Sequence, residues 1–167
     1  MLAMDVSITK LHGRSRMICE RSDGTRDVAS LGPNLPFHDL AHFVAERRLR
    51  IRNGLFGHIA RGYSTVQLST PAVIRTLAPE ALMAEVVARG VGALATGACT
   101  PEQYAPLVNE ELVVLGMAPI DGLGPALASA MLDELRLLAQ AYAELADGAS
   151  LKLCFELDDD EPSSRRE

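Results

Sequence analysis

Apolar and polar residues alternate at both ends of the chain, and no other feature constrains the fold as much. Near the start, Met4, Val6 and Ile8 alternate with Asp5, Ser7 and Thr9. Near the end, Leu151, Leu153, Phe155 and Leu157 alternate with Lys152, Cys154 and Glu156. A period of two marks a strand with one face buried and one wet. The first strand is expected over 3–10. After a His12-Gly13 turn, a second is expected from Arg16 to Arg21, with Met17 and Cys19 on one face. Asp23-Gly24 is a strong hairpin signal, and Thr25 to Ala29 would be the third strand. Strands joined this tightly form a meander. The last strand is expected to return to that meander, bringing the two ends of the chain together.

The middle of the chain reads as helical. Asn34 can cap a helix and Pro36 suits its first turn. That helix is expected to run to about Arg50 and to stop near Asn53-Gly54. A short helix is expected from Leu55 to Ala60, then an irregular or extended piece from Tyr63 to Pro71. Pro79-Glu80 opens a helix to about Thr96, where Gly90 and Gly92 would allow close packing. Thr100-Pro101-Glu102-Gln103 is a capping-box pattern. Pro106 then either kinks that helix or marks its true start. Pro125 starts the longest helix, to about Ala146, with Leu132, Leu135, Leu138, Tyr142 and Leu145 at 3–4 spacing. The expectation is an α+β fold: a small antiparallel sheet covered on one face by about five helices. It forms one domain over 1–157, and 158–167 is expected to be a disordered charged tail.

With 167 residues and 48% apolar content, the chain can bury a proper core. Aromatics are only 4% and Trp is absent, so the core is aliphatic and the stacking platforms of single-strand nucleic-acid binders are missing. Residues 1–63 carry ten Lys/Arg and six Asp/Glu, whereas residues 64–167 carry six and sixteen. The acidic part would repel a phosphate backbone, so no nucleic-acid partner is expected. No run of 18 uncharged apolar residues exists, so no membrane span is expected. Cys19, Cys99 and Cys154 are odd in number, widely spaced and without a CxxC pair. They read as reduced, mostly buried thiols of a cytoplasmic protein. A homodimer fits the apolar content.

Chemistry concentrates in Leu35-Pro36-Phe37-His38-Asp39-Leu40-Ala41-His42-Phe43-Val44-Ala45-Glu46, which holds two of the four histidines. On a helical wheel Leu40, Val44 and Ile51 share the core direction. His38, Asp39, His42 and Glu46 fall within a sector of roughly 100° elsewhere, alongside Leu49. A polar sector flanked by apolar residues suggests a cleft or a packed polar network. His38 and His42 are four residues apart, so two imidazoles can meet one divalent metal ion such as zinc. The intervening Asp39-Leu40-Ala41 lacks the glutamate of the helical zinc-protease signature. Glu46 lies about 12 Å along the axis from His38. Helical side chains lean toward the N-terminus, so Glu46 reaches His42 and not His38. A third ligand must come from another segment, with Glu85, Glu110 and Glu111 as candidates and His58 near enough to approach. Asp39 and Glu46 are then candidate catalytic residues, as a general base or as groups that orient the ligands. The competing reading is a structural or protein-interaction domain whose His/Asp/Glu cluster is a buried stabilising network.

Other motifs are weaker. Arg47, Arg48, Arg50 and Arg52 scatter around the helix and read as a solvated helix end near the negative dipole pole. Gly54-Leu55-Phe56-Gly57 lacks the Lys-Ser/Thr of a phosphate loop, so its glycines read as close-packing positions. Ser64 and Ser69 lack the context of a nucleophile elbow.

Pro36-Phe37-His38-Asp39-Leu40-Ala41-His42-Phe43, Glu46 and Arg52-Asn53-Gly54-Leu55-Phe56-Gly57 resemble a family of small uncharacterised bacterial proteins. Those proteins pair a His-Asp-Leu-x-His-aromatic helix with an Asn/Asp-Gly-Phe-Phe-Gly turn. The likeness spans Leu35 to Tyr63, with Leu55 where an aromatic is usual. It implies a site around the two histidines and brings no reaction with it. The His-Asp-x-x-His piece is also similar to the proposed zinc motif of a coenzyme-Q assembly protein, but Gly54 stands where that motif has a glutamate.

Overall fold

A computed structural model describes residues 1–33 and 35–158. Four strands and seven helices follow one another in the order β1 (Leu2–Leu11), β2 (Arg14–Arg21), β3 (Arg26–Gly32), α1 (Phe37–Arg48), α2 (Leu55–Ala60), α3 (Thr65–Leu68), α4 (Pro71–Ile74), α5 (Pro79–Thr96), α6 (Pro101–Val114), α7 (Pro125–Ala143) and β4 (Ser150–Leu157). The strands form one antiparallel sheet in the order β3-β2-β1-β4. The alternating pattern sets the register. Val6 lies opposite Cys19 on one side and Leu153 on the other, and Ile8 lies between Met17 and Leu151. Met4, Val6, Ile8, Met17, Cys19, Phe155 and Leu157 bury one face of the sheet.

Helix α1 is the packing centre. It lies against α5 and α7, and also meets α2 and β4. Leu40, Val44 and Ile51 are buried as their shared wheel direction requires. Each such side chain contributes roughly 1.5–3 kcal/mol by leaving water. Phe43, Phe56 and Phe155 bring α1, α2 and β4 together, with ring centroids 5.6 to 6.2 Å apart. Three of the few aromatics therefore act at one junction.

Several sequence expectations change in detail. Pro36 is the N-cap of α1 and not its first residue, and Asn34 and the charged tail beyond Asp158 lie outside the described residues. α1 ends at Arg48, and Arg50 turns the chain with φ of 55°. The segment expected to be irregular from Tyr63 contains α3 and leads into α4, giving seven helices instead of five. Both are single turns of four residues, too short for hydrophobic periodicity to show. Ser64 caps α3 through a capping box, which explains why a helix begins there. Helix α6 starts at Pro101 and carries Pro106 inside it. Gly90 lets α6 approach α5: a Cβ there would lie 2.8 Å from the Tyr104 ring and 3.0 Å from Val108. Cys19 and Cys99 are buried, in line with mostly buried thiols, while Cys154 is exposed on β4. Strand alternation that aims Leu153 and Phe155 inward turns Cys154 outward. Among the described residues, no helix is long and apolar enough to cross a membrane.

Candidate metal centre

The polar sector of α1 opens into a cavity of about 1060 Å³. Its walls come from β3, α1, α2, the α3–α4 segment, the start of α5 and the chain after α6. Most lining groups are apolar. His38, Asp39, His42, His58 and Glu85 supply its ionisable side chains.

Helix α5 provides the group that α1 lacks. Glu85 reaches across with one carboxylate oxygen 3.2 Å from His38 Nε2 and the other 2.8 Å from His42 Nε2. The two imidazole rings meet edge to face, centroids 4.7 Å apart, as i, i+4 spacing on a helix allows. The ligand atoms of His38, His42 and Glu85 all lie within 4.8 Å of one another, so these three could hold a metal ion. His38 and Glu85 are accessible while His42 is only 4% exposed, which leaves one side of the group open to the cavity.

Glu46 sits beneath this group with no exposed surface. Its carboxylate accepts hydrogen bonds from Leu55 N at 2.6 Å, Phe56 N at 2.9 Å and Gly57 N at 3.3 Å. These are free N–H groups in the first turn of α2, where a carboxylate also meets the positive end of the helix. The same carboxylate accepts from His42 Nδ1 at 3.0 Å. Gly54 makes the fit possible: a Cβ there would lie 2.3 Å from Glu46 Cδ. Gly57 similarly clears the Arg52 carbonyl, 2.0 Å from where its Cβ would be. The two glycines are close-packing positions, not a phosphate loop.

The electrostatics follow from this arrangement. Burial opposes charge on His42, but its hydrogen bonds to Glu46 and Glu85 outweigh burial and push its pKa up to about 9. Without a metal, His42 is therefore an imidazolium between two carboxylates. Hydrogen bonds from His38 and then His42 hold Glu85 far below the usual carboxylate range. Burial raises Asp39, against the opposing pull of His38 and His42. Asp39 faces the cavity but does not belong to the three-residue group.

The remaining candidates separate cleanly. Glu111 pairs with Arg89, and Glu110 lies exposed on α6, so neither is the missing ligand. His58 lines the same cavity at another point of its wall. Arg47 and Arg48 both bond Glu134 on α7, the latter at 2.6 Å, and Arg50 lies 3.8 Å from Asp158. That basic run joins elements instead of lining the cavity. Ser64 caps α3 and Ser69 bonds the Thr65 carbonyl, so both hydroxyls have local structural partners. No sequence signal singled out Glu85, because its choice over other acids depends on how α5 docks against α1. No protein-family model, curated protein or solved structure matches the chain.

Proposed function

We propose that the protein is a divalent-metal-dependent hydrolase whose ion is held by His38, His42 and Glu85. The observation that carries this reading is the convergence of two imidazole Nε2 atoms and one carboxylate from a second helix at the wall of an open cavity. Two histidines and a glutamate form a donor set of catalytic zinc sites. The ion, when bound, would supply Lewis acidity and a water of lowered pKa.

The protein's own groups have distinct parts. Glu46 fixes His42 by accepting its Nδ1–H, which leaves Nε2 as the ligand atom. Of the two roles open to Glu46 in the sequence, orientation fits its burial and its three backbone partners better than proton transfer to a substrate. Asp39 keeps the general-base role, since it faces the cavity and burial raises its proton affinity. A cytoplasmic setting is supported by three cysteines without disulfide partners.

A second reading is supported by the ion cluster itself. His42 between Glu46 and Glu85 ties α1, α2 and α5 together without any metal. Metal analysis of protein purified without a histidine tag separates the two. The metal reading expects about one zinc, iron or manganese per chain, lost in both His42→Ala and Glu85→Ala. Protein that takes up none of these ions, and whose His42→Ala variant merely melts earlier, would leave the structural network standing.

A further inference from the structure

We propose that the cavity binds an elongated apolar molecule with a neutral polar head carrying a hydrogen-bond donor, an amide or hydroxyl, which His58 Nε2 accepts. The inference rests on reading the cavity as the substrate site, and it names the class of substrate.

His58 supplies the head-group evidence. The residue is 6% exposed and lines the cavity. Its Nδ1 lies 2.7 Å from the Gly54 carbonyl, which can only accept, so Nδ1 carries the hydrogen. Tyr63 packs edge to face against the ring and fixes its plane. In the neutral imidazole Nε2 is then a hydrogen-bond acceptor, and it has no protein partner among the described residues. An acceptor that reaches the cavity without a protein partner is a place where a ligand donor can bond.

The walls supply the rest. Of the ten large apolar side chains exposed among the described residues, five line this one cavity: Val28, Val66, Ile74, Leu82 and Leu115. Such clustering marks a binding surface, whereas apolar side chains scattered singly do not. The volume of about 1060 Å³ lies just above the roughly 300–1,000 Å³ typical of small-molecule pockets. No Lys or Arg lines it, and the His42 imidazolium of the metal-free protein is already held between Glu46 and Glu85, so the metal-free wall offers no unpaired cation to an anionic head. The metal group and His58 line the same cavity.

N-alkylacetamides are suitable probes because they are neutral, carry one N–H donor and resist hydrolysis. Binding of the butyl, hexyl and octyl compounds to metal-free protein is measured by calorimetry, with octyl acetate as the matched ester lacking the donor. Affinity should rise by up to about fourfold per added methylene. N-octylacetamide should bind about three- to tenfold tighter than octyl acetate, and His58→Phe should abolish that preference. Leu82→Arg, at the exposed rim, should flatten the length dependence without touching the head-group site. Equal affinity across the length series would overturn the proposal, as would an unchanged amide preference in folded His58→Phe. So would a concentration-dependent dimer that excludes the probes, which would make the cavity a subunit interface. Zinc binding is measured separately: zinc uptake without alkylacetamide binding removes this inference alone, and length-dependent binding without zinc uptake removes the metal reading alone.

Discussion

Helix α1 carries a charge cluster at each end, and the two differ in what they can do. At its C-terminal end Arg47 and Arg48 grip Glu134. Both guanidinium groups are partly exposed and permanently charged, so this cluster has one state and can only join α1 to α7. In its N-terminal half His38 and His42 meet Glu85, and Glu46, one turn further on, holds the buried His42 ring from its other side. Imidazole can be cation, neutral ligand or hydrogen-bond partner, so this cluster forms a site with several states. Neighbouring charges fix α1 in place, whereas a titratable ring beside an open cavity offers chemistry.

The contrast breaks most severely at Glu46. Glu46→Ala should cost about 3–5 kcal/mol, because it takes one of two carboxylates from a buried imidazolium and leaves three N–H groups without their acceptor. Chemical denaturation would measure this, and a loss below about 1 kcal/mol would mean that the buried cluster is no more important than the exposed one.

Next in size is the pH response of metal-free protein. The folded pKa of His42, about 9, exceeds its unfolded value of about 6.5. Its stabilisation is therefore complete below pH ~6.5 and is lost as pH rises through about 9, a change on the order of 3 kcal/mol. Glu85 has the opposite sign: its contribution is present above the unfolded carboxylate pKa and is lost as pH falls toward its depressed folded value. Melting temperatures across this range should fall on the alkaline side in wild type and stay flatter in His42→Gln.

Gly54→Ala should follow at roughly 1–3 kcal/mol, since its Cβ collides with a carboxylate that has no room to move. The same variant should weaken zinc affinity by about 10-fold or more, as disturbance of an orienting group does. Smallest is Arg48→Ala, expected to cost at most about 1 kcal/mol and to leave zinc affinity unchanged. A drop in zinc affinity there would show that the two ends of α1 are not independent.

The sequence already contained much of this arrangement. Alternation at both chain ends gave the sheet, including the return of β4 to β1. The backward lean of helical side chains placed Glu46 on His42 and away from His38. The glycines at 54 and 57 could be read as close contacts, although what they cleared could not. Glu85 stood among three candidate acids with Glu110 and Glu111 but could not be ranked above them, because one acid among several on amphipathic helices has no local mark. Its partner is 43 residues away and is chosen by helix docking. The short helices α3 and α4 escaped because one turn has no period. At Cys154 the residue type argues for burial while the strand position argues for exposure, and the strand position prevails.

Glu46 also has a thermodynamic consequence. One carboxylate holds the proton of His42 and the first turn of α2, and α2 carries His58, itself tied to the Gly54 carbonyl. An occupant that turns the His42 ring must disturb the anchor of the helix that presents His58. Any coupling of occupancy at His42 to affinity at His58 through this carboxylate would be equal in both directions. Such coupling would need no moving domain, only two residues sharing one buried anion.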